Sequence, residues 1–281
     1  MEKSVSGHGV FIYDAAATIA RYGSTALVAA ALKECDMQHA WVRLHGATHP
    51  LAPSPTRNLI TALQQEGIGV VGWGWCPGDN ISVEAELVLT TLNEFGLQHY
   101  VADVEDGVHG ANWTAAEIRR FFTSLREALP DSQIGVSTFG FIPWHKPQLM
   151  SAAEPFVDFF APQVYWFTFP TRKILNAAEV DVSQYVLNDP ASYARLCIEV
   201  WRRVVSKPLV LTGQAYWGEA PGFHQGTAEA KLKRFTDTFD AWQELQGLNW
   251  WHLGGKGQDA MSFGMFEALR AARLNEQFAT S

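Results

Sequence analysis

The stretch Tyr100-Val101-Ala102-Asp103-Val104-Glu105-Asp106 decides how this chain is read. It is a short apolar strand that runs into three carboxylates. Side chains alternate along a strand, so residues two apart share a face. Val101, Asp103 and Glu105 have one parity, whereas Tyr100, Ala102 and Val104 have the other. The second set is apolar and suits packing against helices, which turns Asp103 and Glu105 the opposite way. Inward acids at the C-terminal end of a strand fit the mouth of a (β/α)8 barrel. Asp106 then belongs to the following loop.

Outward from this strand (His99–Glu105) the same alternation continues. Further strands are predicted at Val10–Tyr13, Ala40–His45, Ile68–Trp75, Gln133–Phe139, Val157–Tyr165, Pro208–Ala215 and Leu248–Leu253. Helices are predicted around Ser24–Met37, Thr56–Glu66, Ser82–Phe95, Thr114–Leu129, Lys146–Ala153, Ser192–Val205, Thr227–Leu245 and Ser262–Arg273. Gly67 and Gly96 close two of them, and Thr114 with Glu117 three residues later forms a capping box. Ser82, Asp79 and Asn80 compete to cap the helix ending at Phe95. About eight βα units fill 281 residues without a break in composition. The expected fold is α/β, a single (β/α)8 TIM barrel over residues 1–281, with a long irregular loop insertion around 167–190. An open doubly wound sheet is the alternative, but no Gly-rich phosphate turn follows the first strand.

Composition excludes several function classes. Hydrophobic residues make up 47% of the chain, yet the apolar runs are too short and interrupted to span a bilayer. A net charge of −8 without a Lys/Arg run argues against a nucleic-acid partner. Met1 to Ser6 contains no apolar stretch, so no classical signal peptide is visible, and a cytoplasmic place or non-classical export is expected. Cys35, Cys76 and Cys197 lack paired spacing and are expected as buried thiols. The histidines are read as forming no metal site, no G-x-S-x-G elbow is present, and no cofactor is expected.

The predicted mouth collects polar and aromatic residues. Two carboxylates about 6–7 Å apart on one strand face raise each other's proton affinity. A carboxyl kept neutral near pH 7 can protonate a glycosidic oxygen. The bland alternative pairs Asp103 and Glu105 with an inward base such as Arg43, for folding alone. On the first strand Val10, Ile12 and Asp14 share parity, which makes Asp14 either a third mouth carboxylate or the cap of a helix at Ala15–Ala20. The inward set of the second strand is Trp41, Arg43 and His45. Trp73, Trp75, Trp144, Trp166, Trp217, Trp250 and Trp251, seven of the eleven tryptophans, lie near the same end of the strands. Their rings can stack on sugar faces or simply fill the core. Gln163-x-Tyr165 and Gln214-x-Tyr216 end the sixth and seventh strands, placing amides and hydroxyls there. His45 and His252 are within reach of the mouth, although isolated histidines near strand ends are commonly structural.

The Tyr100–Asp106 run resembles the fourth-strand D-x-E signature of family 25 glycoside hydrolases, the lysozyme-like barrel muramidases. That family also has an Asp at the end of strand one, which Asp14 matches. Ala161-Pro162-Gln163-Val164-Tyr165-Trp166 is similar to the sixth strand of sugar-cleaving barrels, including family 18 chitinases. The resemblance implies that Glu105 is the acid and that Asp103 assists it. The chain departs from both patterns. Position 101 is Val where family 18 has an acid, and the muramidase D-x-S of strand one reads Asp14-Ala15-Ala16. A late acidic partner is represented only by Asp259.

The resulting expectation is a glycan-cleaving hydrolase acting on peptidoglycan or another N-acetylhexosamine polymer. Glu105, Asp103 and Asp14 are its catalytic candidates, and Gln163, Tyr165, Trp251, Tyr216, Trp73 and Arg43 its sugar-binding candidates. Two rivals belong to other classes. One is a catalytically silent glycan-binding barrel of a phage or secretion system. The other is a metal-assisted phosphodiesterase or lyase with Asp14, Asp103, Glu105 and Asp106 as oxygen ligands.

Overall fold

The computed structural model describes residues 5–219, 222–255 and 260–278. Eight parallel strands close into a barrel in chain order. They are β1 (Gly7–Ile12), β2 (His39–His45), β3 (Gly69–Trp75), β4 (Tyr100–Asp103), β5 (Ile134–Phe139), β6 (Phe159–Val164), β7 (Val210–Gln214) and β8 (Gly247–Leu253). Closure is by β8 on β1, with Gly7 opposite Gly247 and Val10 opposite Trp250. The helices are α1 (Ala15–Tyr22), α2 (Thr25–Glu34), α3 (Pro53–Gln65), α4 (Ile81–Phe95), α5 (Ala115–Ala128) and α6 (Pro147–Ala153). They continue with α7 (Arg172–Ala177), α8 (Pro190–Arg202), α9 (Gln225–Thr238), α10 (Phe263–Ala272) and α11 (Asn275–Phe278). Among the described residues no single helix is long and apolar enough to cross a membrane.

The core has two shells. Between strands and helices lie Val42, Tyr100, Ala102, Val136, Leu248 and Trp250 among many others. Inside the barrel a smaller cluster includes Phe11, Trp41, Trp73, Val101, Phe159 and Val210. Phe11 meets Trp41 and Trp73 edge to face, with ring centroids 4.9 and 5.4 Å apart. These rings plug the barrel beneath the mouth and support whatever sits above them.

Two parity assignments are corrected. On β1 the inward residue is Phe11, while Val10 and Ile12 pack outward under the helices. Both faces of this strand are apolar, so hydropathy alone cannot orient it. Gly9 does, because a Cβ there would lie 2.2 Å from His39 Nε2 and 2.6 Å from Asn249 Oδ1, both inward side chains. Tyr13 therefore continues the inward set in place of Asp14.

On β2 the register shifts between Arg43, opposite Trp73, and His45, opposite Gly74. Two residues of β2 face one of β3 over this step, so His45 turns outward. Its Nε2 accepts from the Tyr100 hydroxyl at 2.7 Å, and its Nδ1 lies 2.7 Å from the Gly46 carbonyl. Gly74 leaves the space, since a Cβ there would fall 2.2 Å from the His45 ring.

Helix boundaries follow the caps. The capping box of α5 is present, with the Thr114 amide donating to Glu117 at 2.8 Å and the Glu117 amide to the Thr114 hydroxyl at 3.3 Å. Asn80 caps α4, and the buried Glu84 accepts from the Gly78 and Asn80 amides at 3.0 Å each. The predicted helix Ser24–Met37 is α2, preceded by α1, which Gly23 ends at φ 93° and Ser24 separates from its successor. The 167–190 segment carries α7, which buries Leu175.

Candidate active site

A cavity of about 490 Å³ opens at the C-terminal ends of the strands. Asp103, the last residue of β4, and Glu105, two residues on, both line it, as strand parity predicts. From β6, on the far side of β5, Gln163 points its carboxamide at both. Its Nε2 lies 2.6 Å from Glu105 Oε1 and 3.0 Å from Asp103 Oδ1, with the Ser137 hydroxyl at 3.2 Å. Asp103 and Gln163 are 7% and 8% exposed, so this network is nearly dry.

Burial and neighbouring charge set the electrostatics. Asp103 is held well above the ordinary carboxylate range, by burial first and then by the charge of Glu105. Arg43, Ser137 and Gln163 oppose that shift. Burial also raises Glu105, against the Gln163 hydrogen bond and the charge of His109. The two carboxyls share a donor and titrate as a pair, which retains a proton at a pH where an isolated Asp or Glu has lost it. Tyr165 stays a neutral phenol, its ionisation pushed well up by burial and by Tyr216, Glu105 and Asp103.

Aromatic rings form the floor and walls. Trp251 lies against Phe11, Tyr13 and Trp73 at centroid distances of 5.2, 5.9 and 5.5 Å. Trp73 is 1% exposed and donates its indole N–H to the Ile12 carbonyl at 3.3 Å, so it supports the floor from below. Arg43 places its guanidinium over the Tyr13 ring at 4.5 Å and donates through Nε to the His45 carbonyl at 3.2 Å. Tyr165 and Tyr216 stand edge to face, 5.4 Å apart. Gln214 lies buried behind them, accepting from the Phe167 amide and donating to the Tyr216 carbonyl at 3.1 Å each. His252 lines the cavity as a neutral ring, lowered to about 4 by burial.

Other predicted members fall elsewhere. Asp14 is exposed and N-caps α1, its carboxylate accepting from the Ala17 amide at 2.8 Å. It does not line the cavity, because Tyr13 takes the inward place. Asp106 shapes its loop, accepting from the Trp113 amide at 2.8 Å and from Lys146 Nζ at 3.0 Å. The acids Asp14, Asp103, Glu105 and Asp106 therefore do not converge as oxygen ligands. His45 and His49 have the i, i+4 spacing of some metal ligands, but both ring nitrogens of His45 are engaged by Tyr100 and Gly46. Asp259 lies outside the described residues.

Of the seven tryptophans, Trp73, Trp75 and Trp251 line this cavity and Trp144 a neighbouring one. Trp166 and Trp250 are buried in the outer shell, and Trp217 packs against it. Tyr13, His109 and Glu219 also line the mouth, without having been singled out as site residues. Tyr13 was hidden by the unreadable parity of β1. His109 and Glu219 sit on loops, where side-chain direction has no periodic signal.

No protein-family model and no curated protein matches the sequence. Solved structures do resemble the fold. The catalytic domain of a hyperthermophilic chitinase from Pyrococcus furiosus is 11% identical, with a TM-score of 0.63 over 99% of this chain and 97% of that one. GH5_18 from Bifidobacterium longum subsp. longum is 12% identical, with a TM-score of 0.67 over 99% and 80%. A GH113 beta-1,4-mannanase is 10% identical, with a TM-score of 0.60 over 97% and 99%. At such identities the likeness is one of architecture: the chain is a (β/α)8 barrel built like these proteins from end to end.

Proposed function

We propose that this protein is a glycoside hydrolase that uses Glu105 as its general acid and Asp103 as the partner carboxylate. The observation that carries the reading is the Gln163 amide held by both carboxyls, 2.6 and 3.0 Å away, in an aromatic-lined mouth. A pair that keeps one proton above the ordinary carboxylate range meets the first requirement of glycosidic cleavage. Names attached to similarly built barrels, chitinase and beta-1,4-mannanase, point the same way.

Each residue has a part. Glu105 stands nearer the opening and delivers the proton of the pair to the glycosidic oxygen. Asp103, then charged, faces the positive charge that develops at the anomeric carbon, or orients an acetamido group beside it. Gln163 fixes both carboxyls, and the Tyr165 hydroxyl donates to the sugar. Trp251 offers an indole face for an apolar sugar face. Arg43 limits how far the affinity of Asp103 for its proton rises.

The substrate class proposed is an N-acetylhexosamine polymer, chitin-like or peptidoglycan. The test is reducing-end release by the purified protein from chitin oligosaccharides, peptidoglycan and mannan. Release from one or both of the first two, with mannan untouched, is expected. Release from mannan alone would overturn the substrate class, and no release from any would overturn the reading.

A further inference from the structure

A second cavity of about 380 Å³ adjoins the first, on the side of β5 to β7. The two share Glu105, Gln163, Tyr165, Tyr216 and Glu219. Asp103, Arg43 and Trp251 line only the first, whereas Phe139, Phe141, Trp144, His145 and Phe167 line only the second. Glu105 thus stands at the passage between two lobes of different chemistry. One is polar with a tryptophan floor; the other is walled by rings. The charged groups of the second lobe, among the described residues, are the shared Glu105 and Glu219. His145 stacks on Phe139 and is a neutral ring near pH 7, lowered to about 4 chiefly by burial.

Resting on the hydrolase reading, we propose that the second lobe holds the departing part of the glycan, a neutral sugar bound through its ring faces. The direction follows from where the two carboxyls sit. Asp103 reaches only the first lobe, so the ring that gains positive charge lies there, above Trp251. Glu105 reaches both, so the bridging oxygen lies at the passage, and whatever that oxygen carries away extends into the second lobe. The bond from anomeric carbon to bridging oxygen breaks with its electron pair going to oxygen, which takes the proton from Glu105. Water then adds hydroxide to the anomeric carbon and returns a proton to the carboxyl pair.

The rims support a chain that crosses the mouth. Tyr13, 39% exposed, borders the first lobe, and Trp144, 43% exposed, borders the second. Exposed rings at both ends suit a polymer entering on one side and leaving on the other, with cleavage between.

The test compares two substrates with the same sugar in the first lobe. One is a chitin oligosaccharide; the other is the matching glycosyl fluoride, whose leaving group is a single atom. Trp144→Ala should lower kcat/KM on the oligosaccharide about ten-fold, the worth of one lost stacking contact, and leave the fluoride within about two-fold. Tyr13→Ala, on the other rim, should lower both alike. Equal loss on both substrates with Trp144→Ala, or loss on neither, overturns the lobe assignment while leaving the hydrolase reading intact. Wild type inert on both substrates overturns the two together.

Discussion

Gln163 and Glu105 come from β6 and the end of β4, strands separated by β5 alone, and meet at 2.6 Å. The same amide nitrogen reaches Asp103, so one donor holds the geometry and the proton balance of the carboxyl pair. An amide that binds a carboxylate favours its charged form. Gln163→Leu removes that donor with little change in volume. Both carboxyls should then hold protons more tightly, and the alkaline limb of the pH–rate profile should move to higher pH. The maximal rate should fall at least about ten-fold as the carboxyls lose their orientation. A profile that drops in height without moving would assign Gln163 to sugar binding alone.

Asp103 predicts a stability effect opposite to the usual one for an acid. Its folded pKa is raised, so its contribution is fully present below the unfolded value, about 4, and is lost as pH rises through the folded one. Above the unfolded value the fold bears the cost of keeping on this buried pair a proton that the unfolded chain has released. Asp103→Asn should therefore raise Tm by a few degrees at pH 7, at about 2–4 °C per kcal/mol, while lowering activity. The gain should shrink towards pH 4, and calorimetry at the two pH values checks it. A uniform loss of Tm would mean that the hydrogen bonds of Asp103 outweigh its burial.

Buried histidines set the acid limit. Burial lowers His8 to about 3 and His39 to about 4, and the Trp250 indole donates to His8 Nε2 at 2.6 Å, which requires a neutral acceptor. A depressed histidine contributes stability above its unfolded value, about 6.5, and that is lost as pH falls through the folded value. Stability should decline from about pH 6.5 downwards, most steeply near pH 5, between the unfolded and folded values. Chemical denaturation at pH 7, 5 and 4 measures this decline, and a flat response would contradict the neutral, buried state of these rings.

Asp14 separates the site from the frame. As the cap of α1, its replacement by Ala should cost about 1 kcal/mol of stability. The same variant should leave kcat/KM within about two-fold. A loss of activity beyond about ten-fold at unchanged stability would return Asp14 to the catalytic set.

The strand order and the inward pair on β4 were legible because that strand is apolar on one parity only. β1 was not, since Val10, Phe11 and Ile12 offer no contrast, and only the packing around Gly9 resolves it. His45 was misplaced because a bulge inverts parity without a residue pattern of its own, beyond the permissive Gly74 on the neighbouring strand. The tryptophans cluster at one end of the sequence elements, but burial divides them. Trp251 faces the cavity while its neighbour Trp250 is buried in the outer shell. Loop residues such as Glu219 and His109 carry no period at all. Their place in the mouth depends on loop conformation.

The central claim is that Glu105 is the proton donor. Reducing-end release from chitin oligosaccharides by wild type and Glu105→Gln, alongside the Tm of each, tests it most directly. Loss of about 10²–10⁴-fold in rate with Tm unchanged or raised is the predicted result. Undiminished hydrolysis by a folded Glu105→Gln protein would contradict it.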